Sequence, residues 1–368
     1  MALLKQSNKS LVITGGGSGG HALAGIAIAE AWKNRFGSDS EITFIGAHGG
    51  LEEKLVPRAG IPLVLLSVGS LNRVSSRRKL ATLLKLPLAL LKAFWFLLKE
   101  RPRFVVGVGG YAAGPVVLIA SIWGWLWGAK TAILEQNLQP GLTNRILSKF
   151  ADQVFAAFPG THFPSREPHI TGNPIRSQFR PLEPALAHPF TVFVFGGSQG
   201  AFGINTLVIE ALPHLKAMNA SVQWIHQTGE RDFERVRDAH LAHETGARVE
   251  RFIHQMEDCY RSASLIVCRA GASTLAELAQ VRRAAILIPL PTASDRHQEK
   301  NAQSFADSGA CEVLLQGPGA SLTLAQKIIE SIQNPDKLRQ MERAIACFSR
   351  PDAAKDLIDA MIANSQGS

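Results

Sequence analysis

Two stretches of this chain open in the same way, and that repetition constrains the fold most. LVITGGGSGGH (residues 11–21) and TVFVFGGSQG (residues 191–200) each drive an apolar run into a glycine-rich turn, with a helix-forming segment beyond it. Such runs suit strands buried on both faces, as in a parallel sheet covered by helices. EITFIGA, FVVGVGG and TAILEQN continue the pattern in the first half, and SVQWIHQTG, ASLIVCRAG and AAILIPLP in the second. The expected fold class is α/β, with two Rossmann-like domains. The first domain is placed at 8–172 and the second at 190–349, joined by a proline-rich linker at 173–189. The helix PDAAKDLIDAMIA, within 351–364, is expected to pack back on the first domain. With 368 residues, 46% of them apolar, each half can bury a core of its own.

Charge divides the halves. Residues 1–175 hold 19 Lys+Arg against 9 Asp+Glu, and the remainder 20 against 21. Nine basic side chains and a single acid, Glu100, fall within residues 72–103. An anionic partner for the first domain follows, either nucleic acid or a membrane surface. In RRKLATLLKLPLALLKAFWFLLKERPR (77–103), Arg78, Lys85, Lys92 and Lys99 recur every seven residues. Leu90, Leu91, Phe94, Trp95 and Phe96 supply a wide apolar face, although Pro87 could divide the helix. A basic stripe beside an aromatic and aliphatic face fits an interfacial membrane anchor; an amphipathic core helix is the alternative. Nucleic acid is disfavoured, because the aromatics cluster among leucines instead of alternating with basic residues. The charge-free run 104–129 is long enough to span a bilayer. Its six glycines and Pro115 favour a strand, a loop and a buried helix instead. The N-terminal MALLKQSNKS is too short and polar for a signal peptide. Cys259, Cys268, Cys311 and Cys347 have neither paired nor zinc-type spacing, and suit a reducing compartment.

Gly15, Gly17 and Gly20 satisfy G-x-G-x-x-G, but a dinucleotide site also needs an acid at the end of the second strand. That strand ends FIGAH, with Glu41 at its start. The loop can still approach a phosphate, and His21 beside it is either a helix-capping residue or a reactive imidazole. In Gly196–Gly200, Ser198 donates to a diphosphate or caps the next helix. In CRAGASTLAELA (268–279), the N–H groups of residues 272–274 could hold a phosphate and Glu277 a ribose diol. Thr274 and Glu277 also fit a capping box. In PTASDRHQEKNA (291–302), Gln298 and Asn301 could offer amides to sugar hydroxyls, or simply begin a polar helix. The sequence contains no D-x-D pair to clamp a metal on a nucleotide diphosphate.

Eight ordered motifs then acquire a common meaning. GGSGGH (16–21), GGYAAGP (109–115), EQN (135–137), GLTN (141–144), GNPIR (172–176), GGSQGA (196–201), CRAGASTLAE (268–277) and DRHQEKNA (295–302) resemble the MurG family. These are the bacterial N-acetylglucosaminyltransferases of peptidoglycan synthesis that make lipid II. The resemblance runs from about residue 10 to 360. It implies the GT-B architecture, two Rossmann-like domains whose parallel sheets face a central cleft. It also implies inverting transfer of N-acetylglucosamine from UDP-GlcNAc to the 4-hydroxyl of MurNAc in lipid I, without metal or cofactor.

By matching motifs, Ser18, Gly19, Gly20 and Asn137 would approach the donor sugar and diphosphate. Arg176, Ser198, the Ile253 backbone, Ala272, Ser273, Thr274, Leu275, Ala276, Glu277 and Gln298 would complete the UDP-GlcNAc site. Within that set, Glu277 takes the ribose and Ile253 the uracil edge. Gly109, Gly110, Tyr111 and Asn144 would face the acceptor. The family usually has His before Glu-Gln-Asn, where this chain has Leu134, so the base becomes His21, with Glu135 as second candidate. The implied partners are UDP-GlcNAc, lipid I, an anionic membrane surface and other cell-wall synthesis proteins, at the cytoplasmic face of the cell membrane. Another GT-B lipid glycosyltransferase, of diacylglycerol type, and more distantly an NAD-dependent oxidoreductase, are the competing readings.

Overall fold

The computed structural model describes residues 9–69, 76–184 and 189–366, with the side chains of 76–83 and 364–366 outside that description. The chain forms two compact units, residues 1–177 with 350–368, and residues 178–349.

The first unit is built on β1 (Ser10–Thr14), β2 (Glu41–Ala47), β3 (Leu63–Leu66), β4 (Phe104–Gly107), β5 (Lys130–Glu135), β6 (Gln153–Ala156) and β7 (His169–Ile170). They form one parallel sheet ordered β3-β2-β1-β4-β5-β6-β7. Its helices are α1 (Gly19–Phe36), α2 (Glu52–Arg58), α3 (Ser76–Glu100), α4 (Ala113–Trp123), α5 (Leu142–Leu147) and the C-terminal helix Ala353–Gln366. Side-chain alternation along β1 separates two cores. Leu11 and Ile13 pack with Trp32 of α1 and Leu357, Ile358 and Met361 of the C-terminal helix. Val12 packs on the other face with Ala93 and Leu97 of α3, Val116 and Val117 of α4, and Leu147 of α5. Small residues let α1 lie close to the sheet, for a Cβ at Gly25 would sit 2.5 Å from the Phe44 ring. The charge-free run divides at its glycines into β4 and α4. Among the described residues no helix is long and apolar enough to cross a membrane.

The second unit repeats the plan with β8 (Thr191–Phe195), β9 (Gln223–Gln227), β10 (Arg248–Glu250), β11 (Leu265–Cys268), β12 (Ala285–Leu287) and β13 (Glu312–Val313), in the order β10-β9-β8-β11-β12-β13. Its helices are α6 (Phe202–Ala217), α7 (Phe233–Ala242), α8 (Met256–Ser262), α9 (Ala272–Val281), α10 (His297–Ala306), α11 (Ala320–Gln333) and α12 (Pro335–Ala346). Val192, Val194, Leu265 and Val267 meet α6, α11 and α12 on one face. Phe193 and Phe195 meet Tyr260 of α8 on the other, with ring centroids 5.7 and 6.0 Å apart. Strand order reverses direction between β1 and β4 and again between β8 and β11. Loops leaving the carboxyl ends of such strand pairs are where ligands bind in open α/β sheets.

A buried polar chain lies under the second unit's loops. His226 Nε2 bonds Asn205 Oδ1 at 3.1 Å, and its Nδ1 meets His240 Nε2 at 3.2 Å. His240 Nδ1 reaches Thr245 Oγ1 at 2.9 Å, and Asn205 Nδ2 donates to Asp232 at 2.7 Å. Burial pushes His226 down to about 3 and His240 down to about 4. An unfolded histidine titrates near 6.5, so between that value and the folded ones the unfolded chain binds more protons. The stability these two groups confer is full above about pH 6.5 and declines as pH falls toward their folded values. At pH 5 each is expected to cost about 2 kcal/mol. Scanning calorimetry from pH 7.5 to pH 5 should therefore show a smaller loss of Tm for the His226→Gln/His240→Gln variant than for the wild type. Equal losses would remove these histidines as a source of acid sensitivity.

Candidate active site

In the first unit, the loop after β1 is interlocked with the loop after β4. Gly16 N–H donates to Gly109 O at 3.3 Å. Gly110 has φ +81°, and a Cβ there would collide with the Gly16 carbonyl, so both loops need glycine. The position where a Rossmann loop would cradle a phosphate holds a carboxylate of the protein itself. Glu52, fully buried at the start of α2, accepts Gly17 N–H at 3.2 and 3.1 Å and Ala47 N–H at 3.0 Å. A Cβ at Gly16 or Gly50 would strike this carboxylate, and one at Gly46 would lie 2.6 Å from Glu52 Cγ. The Tyr111 ring lies against Gly17, and burial, reinforced by the Glu52 charge, raises its phenol above the ordinary value.

Ser18 caps α1, its hydroxyl accepting His21 N–H at 3.4 Å, and Gly19 and Gly20 form the first turn. The His21 Nδ1 sits 3.0 Å from Ser18 Oγ and 3.2 Å from the Gly16 carbonyl. A carbonyl only accepts, so Nδ1 carries the proton and Nε2 is the basic nitrogen. Gly109 lies under that edge, since a Cβ there would be 2.8 Å from Nε2.

The EQN and GLTN motifs converge on Glu135. Its Oε1 accepts from Asn137 N at 2.9 Å and Nδ2 at 3.1 Å, and its Oε2 from Gly141 N at 3.1 Å and Asn144 Nδ2 at 2.9 Å. Both oxygens of this buried carboxylate are thus engaged in ordering the loop around Asn137. Asn144, buried and also bonded to Leu134 O, acts as part of that scaffold. Gln136 Nε2 donates to Val108 O at 3.0 Å and joins the scaffold to the β4 loop. Leu134 is fully buried in the core on the α1 face. Arg176 lies half-buried near the end of this unit.

In the second unit, Gly196–Gly200 turns through a Gly200 N–H to Gly197 O bond of 2.9 Å. Gly200 and Gly229, with φ +73° and +80°, pack backbone to backbone: a Cβ on either would strike the carbonyl of Thr228 or of Gln199. The N-cap of α6 is Ala201 and takes no side-chain bond, so exposed Ser198 does not cap that helix. Beside this turn, α9 starts after Gly271 without a side-chain cap. Its first intrahelical bond is Leu275 N–H to Gly271 O at 3.0 Å, which leaves the N–H groups of Ala272, Ser273 and Thr274 heading the helix. The capping box is absent: Glu277 is well inside α9, buried, with Tyr260 Oη donating to its Oε2 at 3.1 Å. Leu275 is buried in the core, so only its backbone can face a ligand, whereas Ser273, Thr274 and Ala276 are half-buried.

Arg269 is a brace. It donates to Ile288 O, Pro289 O and Gln316 Oε1 at 3.0, 3.1 and 2.7 Å, and burial lowers it to about 10. Gln298 Oε1 accepts Leu290 N–H at 3.0 Å. Asp295 and Arg296, both at φ near +50°, set up the start of α10 in a backbone conformation costly for non-glycine residues. Asn301, expected to share a sugar-facing surface with Gln298, is fully buried, because the face of α10 three residues on turns into the core. Ile253 is buried and its N–H donates to Gln227 Oε1 at 2.8 Å. Glu52 and Gln227 went unnoticed in the sequence. An acid two residues after Gly49–Gly50 was the available signal for the first, and the polar end of a strand for the second.

Comparisons with known proteins identify the family and the fold. The glycosyltransferase family 28 N-terminal domain matches residues 11–156, and the family's C-terminal domain residues 191–357. The chain is 42% identical over 357 residues to the UDP-N-acetylglucosamine--N-acetylmuramyl-(pentapeptide) pyrophosphoryl-undecaprenol N-acetylglucosamine transferase of Myxococcus xanthus, covering 96% of this chain and 92% of that one. The protein of the same name from Syntrophus aciditrophicus is 40% identical, with 96% and 98% covered. The crystal structure of Acinetobacter baumannii MurG superposes with a TM-score of 0.75 at 29% identity, covering 96% of this chain and 99% of that one. These likenesses span nearly the whole chain, and the chain belongs to the MurG family of family 28 glycosyltransferases, with its GT-B fold of two Rossmann-like domains.

Proposed function

We propose that this protein transfers N-acetylglucosamine from UDP-GlcNAc to the 4-hydroxyl of MurNAc in undecaprenyl-pyrophosphoryl-MurNAc-pentapeptide, giving lipid II and UDP. Family membership supports the reaction. The observation that carries the mechanism is the 3.2 Å contact of His21 Nδ1 with the Gly16 carbonyl, from which we assign the proton to Nδ1. Nε2 takes the proton of the acceptor hydroxyl as that oxygen attacks the anomeric carbon and the bond to UDP breaks on the opposite side. Imidazole suits this step because its ordinary pKa lies near neutral pH. Glu135, with four donors on its carboxylate, holds the Asn137 loop instead. Gly109, Gly110 and Tyr111 face the acceptor. The departing diphosphate is met by Ser198 and the N–H groups heading α9, where helix dipole and orphan donors favour an anion. Glu277 takes the ribose, Ile253 the uracil edge and Gln298 the sugar, and no metal takes part.

The acceptor's polyprenyl chain places the reaction at a membrane, and α3 offers the surface. Leu84, Leu88, Leu91 and Trp95 form an exposed stripe at helical spacing, 53–69% accessible. Phe94 packs edge-on against Trp123 at 5.9 Å and links the stripe to exposed Ile122, Trp123, Trp125 and Leu126 at the end of α4. Lys85, Lys92 and Lys99 are exposed on the same helix, Lys92 also bonding Leu65 O at 2.8 Å. Leu90 and Phe96 are half-buried, and Phe96 packs on the core, so neither belongs to the exposed stripe. Pro87 sits within one continuous helix; Arg78 lies among residues whose side chains are outside the description. Apolar insertion plus basic attraction gives peripheral attachment at the cytoplasmic face.

Two measurements test this reading. His21→Ala should lower kcat about 100- to 10,000-fold while leaving UDP affinity unchanged; wild-type turnover at saturating substrates would remove His21 as the base. Serine at Leu88, Leu91, Trp95 and Trp125 together should abolish co-sedimentation with anionic vesicles and spare UDP binding. Undiminished vesicle binding would place the membrane contact elsewhere.

A further inference from the structure

β9 ends in a side chain that touches two loops at once. The Gln227 Nε2 donates to the Gly197 carbonyl at 3.0 Å, and its Oε1 accepts the Ile253 N–H at 2.8 Å. Gln227 and Ile253 are each 2% exposed, so the bond between them is shielded from water, while the bond to Gly197 is partly buried. The backbone around Gln227 is fixed as well. Thr228 N–H donates to Glu250 O at 2.9 Å and Gly229 N–H to Arg251 O at 3.1 Å, while His226 is pinned from both ring nitrogens. A carboxamide carries a donor and an acceptor in one plane, which is what a carbonyl on one side and an N–H on the other require.

We propose that Gln227 is a positioning residue for the nucleotide. It sets the separation between the diphosphate-facing turn Gly196–Gly200 and the base-facing segment 252–254, and so governs both affinity for a uridine diphosphate and preference for its base. This rests on the placement of diphosphate and uracil given under the proposed function. Neither loop reaches the other through its own backbone bonds at Gly197 and Ile253, so the carboxamide is the bridge. Losing it leaves a buried N–H without its acceptor and lets the two subsites drift apart.

Gln227→Leu and Gln227→Glu, measured by titration calorimetry with UDP, CDP and ADP, test the bridge. The leucine variant should bind UDP about ten-fold or more weakly, with a narrowed preference for UDP over CDP and ADP and an unchanged KM for the lipid acceptor. The glutamate variant adds a readout that a general loss of stability does not move. A protonated carboxyl has the same donor and acceptor pair as the carboxamide, whereas a carboxylate sets two acceptors, its own oxygen and the Gly197 carbonyl, against each other. Its UDP affinity, taken as a ratio to wild type at each pH, should approach unity near pH 5.5 and fall about ten-fold by pH 8. A leucine variant with wild-type affinity and base preference, or a glutamate ratio independent of pH, would overturn the proposal. Wild-type protein that binds no uridine nucleotide would overturn the functional reading beneath it as well.

Discussion

A carboxylate buried in a glycine loop organises the first unit. A carboxyl group removed from water must find donors in the protein, and Glu52 finds them in the N–H groups of Gly17 and Ala47. The carboxylate thereby ties the turn after β1 to the end of β2, and glycines at 16, 46 and 50 clear the space it occupies. With the turn fixed, the Gly16 carbonyl is directed at His21 Nδ1, the Tyr111 ring is seated on Gly17, and Nε2 is left as the basic atom over Gly109. The charge of one internal acid thus reaches the proposed proton acceptor through backbone geometry. A loop already supplied with an anion is poorly suited to take a nucleotide diphosphate there, which suits a domain whose proposed work is to deprotonate a sugar hydroxyl.

The second unit repeats the strand order, and there the proposed anion site is built for a ligand. No acid enters Gly196–Gly200; the turn is braced from below by Gly229 and sideways by Gln227. Next to it, α9 starts with uncapped N–H groups, and the carboxylate that a capping box would have used is held a turn deeper by Tyr260. Arg269 directs its Nη1 at Ile288 O, Pro289 O and Gln316 Oε1 and so braces the strand ends. The N–H groups heading α9 give this proposed site positive character from oriented backbone, in a near-neutral half of the chain. The excess of basic residues lies in the other half, where α3 carries it beside exposed leucines and Trp95.

The strands and loops were legible because their signals are local. β1, β4, β8 and β11 are apolar runs that end in glycine or in Cys-Arg-Ala-Gly, and each became a buried strand feeding a loop. What the chain hid depends on contacts between distant segments. Glu52 reads as an ordinary acidic helix start, and only the fold brings it under Gly17. Glu277 fits a local capping rule, yet the helix begins three residues before Thr274 reaches the cap position, at Gly271. Asn301 looks equivalent to Gln298 by spacing, but one faces the core and the other the surface, a distinction that a polar helix start does not encode. On α3, periodicity marked the face proposed to meet a membrane, while packing decided its members: Phe96 turned inward, and Leu84 and Leu88 outward.

Strand order explains why motifs far apart in sequence meet in pairs. In each unit the first strand lies beside the fourth, and the helices connecting outward from them run in opposite directions across the sheet. The loops after β1 and β4 must therefore share one edge, as must those after β8 and β11, with no helix between them. Close approach of two backbones is possible there only without side chains, hence Gly16 against Gly109 and Gly110. In the second unit the same demand shifts by one strand, to Gly200 against Gly229 after β8 and β9. The glycines are thus a packing requirement of the topology first. The proposed chemistry falls to the few side chains placed around them: Glu52 and His21 in one unit, Gln227 and Glu277 in the other.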